Sequence, residues 1–173
     1  MPPPLHAAAA HGISYRPMIA DDLPFLAALY ASTRAEEVAV TGWPEEMQRS
    51  FLHQQFDAQH HHYQRHYPDA EWLVVEGGGE PIGRLYMEEW PSQIRIIDIA
   101  LVPGARGKGT GAAILADVCA LAASKAKKTS IHVEKNNPAL RLYRRLGFIK
   151  VEDKGVYDLL ERSPRHAADL PER

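Results

Sequence analysis

The 173-residue sequence has a single cysteine, Cys119, so no intrachain disulfide can form and the fold is expected to manage without an oxidising compartment, which fits the cytoplasm. It also lacks a charge excess. A formal net charge of -2 and a pI near 6.5 create no field that would gather nucleic acid or an anionic membrane surface, and neither is expected as a partner. No apolar run approaches the roughly 20 residues that span a bilayer. The alanine-rich start has prolines ahead of it, His6 and His11 around it and no basic cluster, so it does not read as a signal peptide. Low-complexity stretches are missing too, and a chain of this length suits one compact domain with a single core. That domain is expected over residues 13–162, between a flexible leader at 1–12 and a flexible, Pro- and charge-rich tail at 163–173.

What is present is a succession of short, well-punctuated segments. Residues 13–18 read as an edge strand, and Asp21 or Asp22 then caps a helix bearing Leu23, Leu26, Leu29 and Tyr30, with Pro24 tolerable in its first turn. A second helix over 45–66 aligns Met47, Phe51, Gln55 and Ala58 near one stripe and is expected to lie over the substrate side. Two apolar runs, 72–76 and 81–88, flank Gly77, Gly78 and Gly79, which predicts an antiparallel hairpin. Residues 94–102, rich in isoleucine and ended by Pro103-Gly104, read as a central strand entering a glycine-rich turn. The helix after that turn runs to about Lys125 and buries Ile114, Leu115, Val118, Cys119, Leu121 and Ala122, which makes Cys119 a core residue. A strand at 131–134 and a helix at 138–146 follow, the helix signposted by Asn137 at its N-cap, Pro138 at N1 and Gly147 past its end. A hairpin of 148–151 and 156–160 closes across Asp153-Lys154-Gly155. Strands before, between and after helices, without a regular repeat, indicate an α+β fold with a mixed sheet.

Residues 103–111 read Pro-Gly-Ala-Arg-Gly-Lys-Gly-Thr-Gly. Glycines let successive backbone N–H groups converge on an anion with no side chain in the way, and the helix start behind them adds the positive end of its dipole. Arg106 and Lys108 can add charge to that cradle. By itself the string leaves a phosphate cradle and a plain turn with a helix start equally open. Two better-known phosphate loops fail on spacing. A Walker A loop from Gly104 needs lysine at position 110, where Thr110 stands, and a dinucleotide GxGxxG needs glycine at 112 or 114, where Ala112 and Ile114 stand. ATP hydrolysis and NAD binding are both disfavoured.

With these residues the chain resembles the GNAT superfamily of N-acetyltransferases, whose pyrophosphate loop follows Q/R-x-x-G-x-G/A after a central strand and before a helix; Arg106, Gly109 and Gly111 fit it. Residues 136–148, Asn-Asn-Pro-Ala-Leu-Arg-Leu-Tyr-Arg-Arg-Leu-Gly-Phe, are similar to the second signature, N-x-x-A-x-x-L-Y-x-x-L-G-F, at every fixed position. The resemblance spans residues 94–148 and implies a mixed, mainly antiparallel twisted sheet with two central strands splayed apart. It implies acetyl-CoA as cosubstrate and an amine-bearing small molecule, peptide or protein as acceptor. Backbone groups around Leu101 and Val102 would hydrogen-bond the pantetheine arm like an added strand. Arg106, Gly107, Lys108, Gly109, Thr110 and Gly111 would hold the pyrophosphate, and Asn136 would bind pantetheine or position the helix. Tyr143 would lie near the thioester sulfur as general acid. In the chemistry so implied an amine attacks the acetyl carbonyl, backbone N–H groups stabilise the tetrahedral oxyanion, and the phenol protonates the departing thiolate. A homodimer stays open.

The base for the attacking amine is less plain. Period-two alternation puts Arg95, Ile97, Ile99 and Leu101 on one face of the central strand and Ile96, Asp98, Ala100 and Val102 on the other. The catalytic glutamates of similar proteins map to 95 or 97, here Arg95 and Ile97, while Asp98 is expected to face away from those positions and pin a neighbouring helix or turn. His132, whose ordinary pKa suits proton transfer, is the candidate base, with Glu88 or Glu89 behind it. The missing carboxylate also motivates a second reading, a noncatalytic acyl-CoA-binding sensor or partner-docking module. His62 and His66 lie four apart on a helix, but no HExxH spacing or further ligand cluster accompanies them, and no metal is expected.

Overall fold

Alternating apolar residues build a single seven-stranded sheet in the computed structural model, which describes residues 1–165. In chain order the elements are β1 (Ile13–Pro17), α1 (Leu23–Ala39), α2 (Glu45–His66), β2 (Glu71–Gly77), β3 (Glu80–Glu89), β4 (Gln93–Leu101), α3 (Thr110–Ser124), β5 (Lys128–Glu134), α4 (Leu140–Arg145), β6 (Ile149–Lys154) and β7 (Tyr157–Arg162). The strand order is β1-β2-β3-β4-β5-β7-β6. Every neighbouring pair is antiparallel except β4 and β5. The expected α+β architecture with a mainly antiparallel sheet is therefore the one observed.

Local chemistry explains the best-defined turn. Gly78 and Gly79 join β2 to β3 with φ of 61° and 82°, the left-handed pair that a two-residue hairpin needs to match the twist of its strands. The closing hairpin departs from expectation in register. Asp153 and Lys154 remain in β6, opposite Asp158 and Tyr157, so the turn falls at Gly155-Val156. The second strand of this hairpin, β7, inserts next to β5 and leaves β6 at the edge. α4 begins at Leu140 rather than at Pro138, because the Asn137 side chain accepts the Ala139 N–H at 2.8 Å and closes a turn before the helix starts.

Each face of the sheet has its own core. On one, Leu73, Val75, Leu85, Met87, Ile94 and Ile96 pack against Ile114, Leu115, Val118, Cys119 and Leu121 of α3, and Cys119 is a core residue as expected. On the other, Leu26, Leu29 and Tyr30 of α1 enclose Phe56 of α2. The inward stripe of α2 runs through Leu52 and Phe56, not through Met47 and Phe51, which are exposed. Phe51 instead meets Trp43 edge-on at 5.3 Å on the surface. A mostly polar helix offers several weak stripes, and packing against α1 selects one of them.

The central strand contains a bulge that overturns its expected facing. Tyr86 pairs with Asp98 and Met87 with Ile96, so Ile97 has no partner on β3. One inserted residue inverts the alternation beyond it. Ile94 and Ile96 therefore share the α3-side core with Leu101, with Ile99 packed against it. Arg95 and Asp98 are cross-strand partners of Glu88 and Tyr86, on the face covered by α1 and α2. Asp98 thus shares its face with Arg95 instead of opposing it. It does pin a neighbouring helix, through the Tyr63 hydroxyl of α2 at 3.1 Å.

The leader is not loose along its length. The amides of His6, Ala7 and Ala8 donate to the Asp117 carboxylate of α3 at 3.2, 2.9 and 2.9 Å, and Ala8 is fully buried. Asp117, inside an otherwise apolar stripe, is itself buried. Its charge is accommodated because three backbone donors converge on it. Of the expected tail, residues 166–173 lie outside the described residues. Asp117→Ala is expected to cost about 3 kcal/mol of stability, since hydrogen bonds to a buried charge contribute about 1.5–3 kcal/mol. Urea denaturation should show the lower midpoint, with faster hydrogen exchange at residues 6–8.

Candidate active site

β4 and β5 pair in parallel only from Gln93 to Ile96 and from Lys128 to Ile131. Beyond that they part, and the gap is bordered by the second half of β4 and by residues 132–134. The β4 backbone can be assigned by alternation along an antiparallel ladder. The Val102 N–H donates to Ile82 O at 2.8 Å, so the backbone groups of Val102, Ala100 and Asp98 face β3, and those of Leu101 and Ile99 face the gap. Leu101 is one of the residues whose backbone faces the gap. The Val102 amide is used inside the sheet, and Ile99 is the second residue turned toward the opening. The bulge and register that decide this leave no mark in the sequence.

The glycine-rich turn leads from the end of β4 into α3. Gly107 and Gly109 adopt φ of 72° and 81°, and Gly109 is the N-cap of the helix. The first amides of α3, from Thr110 onward, have no acceptor within the helix and aim out of its N-terminus. Thr110 is buried and Lys108 exposed. Arg106 folds back: its Nε donates to Leu101 O at 2.8 Å and its terminal nitrogen to Ser32 Oγ at 3.2 Å. The left-handed φ of Gly109 favours glycine there, and a Cβ at that position would lie 3.3 Å from His11 Nε2, close enough that the exposed ring would have to shift slightly.

Tyr143, on α4, is buried and meets Phe148 edge-on at 5.5 Å. Its hydroxyl makes no hydrogen bond to any described residue. Burial, with the Asp98 charge second, pushes the phenol well above its ordinary range, so the group is held protonated. Asn136 is exposed, just past the end of β5.

A parallel-paired strand couple that opens beside a glycine-rich helix start, with a protonated phenol on the next helix, is the arrangement the two sequence signatures imply. The acetyltransferase (GNAT) family matches residues 32–148. The chain belongs to that family. No curated protein matches the sequence. Among solved structures, the chain is similar to a PaiA N-acetyltransferase from Thermoplasma acidophilum in complex with coenzyme A, at 16% identity and a TM-score of 0.64, covering 87% of this chain and 98% of that one. It is also similar to a GNAT acetyltransferase from Elizabethkingia anophelis with acetyl-CoA bound, at 18% identity and a TM-score of 0.57, covering 88% and 98%. An acetyltransferase from Thermus thermophilus has 19% identity and a TM-score of 0.62, covering 87% and 96%. At these identities the three structures establish the shared fold.

Within this GNAT domain, the candidate bases separate cleanly. His132 is exposed, and its Nδ1 lies 3.1 Å from an Arg95 terminal nitrogen. A guanidinium can only donate, so Nδ1 accepts, and the neutral ring carries its hydrogen on Nε2. The lone pair a base would use is thus occupied. Arg95 is itself held by Ser130 Oγ at 2.8 Å and lies 4.9 Å over the Trp90 ring. Glu88 accepts from the Asp69 amide and the Trp90 indole at 3.2 and 2.6 Å, a structural use. Glu89 is held at about 2 by hydrogen bonds from Lys125 and Lys127 at the far end of α3.

Asp98 differs from all of these. Arg84 and Tyr63 both donate to its Oδ2, at 2.7 and 3.1 Å, while Oδ1 has no partner among the described residues. The buried Arg84 guanidinium is braced by Gln59 at 2.8 Å and lies 5.0 Å over the Tyr86 ring. The histidines of α2 do not gather ligands: His62 and His66 stack at 4.1 Å, and among the described residues no group of three or more metal-binding side chains occurs. No helix there is long and apolar enough to cross a membrane.

Partial burial and then the Arg95 charge hold His132 below the ordinary histidine value of 6.5. The folded state therefore disfavours the imidazolium, and this contribution to stability is complete above 6.5 and lost as pH falls through the folded value. Arg95→Met is expected to raise the His132 pKa toward the ordinary value, read as a shift of its titration midpoint in proton NMR.

Proposed function

We propose that this protein is an N-acetyltransferase that moves the acetyl group of acetyl-CoA directly to an amine. The observation that carries the reading is the parting of β4 from β5 beside the α3 N-terminus. Ile99 and Leu101 offer backbone groups to a pantetheine arm entering that gap, as an edge strand accepts another strand. The amides of residues 109–111, with Lys108 near them, receive the pyrophosphate. Thr110, Gly107 and Arg106 shape the turn, Arg106 from its place on Leu101 O. Asn136, exposed where β5 ends, is available to the pantetheine or to the start of α4.

The amine nitrogen attacks the thioester carbonyl carbon, and the carbonyl electrons move to oxygen. Collapse of that intermediate restores the C=O bond and breaks the C–S bond. Tyr143 gives its phenolic proton to the departing thiolate, a role supported by its protonated state and its uncommitted hydroxyl. Asp98 Oδ1 takes the proton from the attacking nitrogen, in place of His132, and exchange with solvent then returns a proton to Tyr143. The motive for a noncatalytic sensor was a central strand without a carboxylate at 95 or 97; Asp98, which shares its face with Arg95 and whose charge acts on Tyr143, supports the enzymatic reading over it.

The acceptor is an amine-bearing small molecule, peptide or protein. With purified protein, acetyl-CoA and an amine panel, thiol release should be observed. Tyr143→Phe is expected to lower kcat about 100-fold with little change in CoA affinity, the range of one general acid. Asp98→Asn should act in the same direction. An unchanged kcat in Tyr143→Phe would remove the phenol from the mechanism.

A further inference from the structure

We infer that the N-terminal leader is part of the cofactor site and that His11 supplies a cationic contact to a phosphate of acyl-CoA, an assignment that rests on the acetyltransferase reading above. The leader is anchored on the helix that forms this site. Asp117, which holds the amides of residues 6–8, lies about two turns along α3 from its first residue. A short 3-10 turn at Ala9–His11 then reverses the chain, and the His11 N–H closes it on Ala8 O at 3.0 Å.

That turn aims the imidazole at the glycine-rich segment. His11 Nδ1 is 3.2 Å from Ala7 O, and since a carbonyl can only accept, Nδ1 carries a hydrogen. Nε2 is then the nitrogen left to interact elsewhere, and it lies 3.3 Å from where a Gly109 side chain would begin. The ring is exposed and has no other partner among the described residues.

The turn's own cations do not fill this role equally well. Arg106 is committed to Leu101 O and Ser32 Oγ, and Lys108 is exposed at the end of a flexible stem. His11 is instead held by its ring and by its backbone. A phosphate over the amides at the start of α3 would favour the imidazolium, whose Nε2 then donates to a phosphate oxygen while Nδ1 keeps Ala7 O. The ligand chemistry is a phosphate ester or diphosphate, present in CoA as both the pyrophosphate and the 3′-phosphate.

Calorimetry on the full chain distinguishes the sources, with CoA, dephospho-CoA and pantetheine as the three ligands and the unaltered chain compared with His11→Ala. The variant is expected to bind CoA about tenfold more weakly, the loss of one charge-assisted hydrogen bond, and pantetheine as the unaltered chain does. An equal loss with dephospho-CoA assigns the contact to the pyrophosphate, and no loss with it assigns the contact to the 3′-phosphate. CoA affinity in His11→Ala within about twofold of the unaltered chain, or a pantetheine loss as large as that for CoA, overturns the inference. Failure of the unaltered chain to bind CoA overturns the acetyltransferase reading with it.

Discussion

The separation of β4 from β5 after four paired residues is the constraint on which the rest of the molecule depends. A strand that loses its neighbour in the middle of a sheet exposes backbone donors and acceptors that need partners. The opening persists because each border is fixed from behind. β4 is laddered to β3 as far as Leu101, and β5 is laddered to β7 through Glu134. α1 spans the two borders, with Ser32 bound by Arg106 after β4 and Arg34 paired with Glu134 of β5 at 2.8 Å.

Around that opening the polar groups are ordered by desolvation. Burial raises the pKa of the Tyr63 and Tyr143 phenols and so keeps both protonated, with Asp98 reinforcing each. Arg84, buried under α2, remains charged because Asp98 answers it at 2.7 Å. Both donors fall on one carboxylate oxygen, which leaves the other without a partner among the described residues. The bulge that displaces Ile97 puts Asp98 on the face where Arg84 and Tyr63 can reach it, so a small irregularity in pairing changes which side chains meet.

α3 connects the site to parts of the chain distant in sequence. Its N-terminus closes the glycine-rich turn, its apolar stripe fills one core, and its buried Asp117 gathers the leader. A carboxylate in that position would be costly alone; three amides from consecutive residues make it a fixed anchor. α3 is thereby tied to residues about a hundred positions away, on a segment the sequence suggested was flexible.

Much of this was legible in the residues themselves. Gly78-Gly79 specified a two-residue turn, the spacing of Arg106, Gly109 and Gly111 specified the loop, and the pattern through Leu142, Tyr143 and Phe148 specified the helix behind it, because each depends on neighbours within a few positions. Three features were not legible. The inward stripe of α2 was chosen by α1, the anchoring of the leader by a carboxylate far along the chain, and the facing of Asp98 by a bulge set by the register of β3 against β4. Local sequence determined the elements and the glycine-rich turn. Which backbone groups line the opening, and which face Asp98 takes, was decided by tertiary pairing, since one inserted residue exchanges the two faces of a strand without altering its composition.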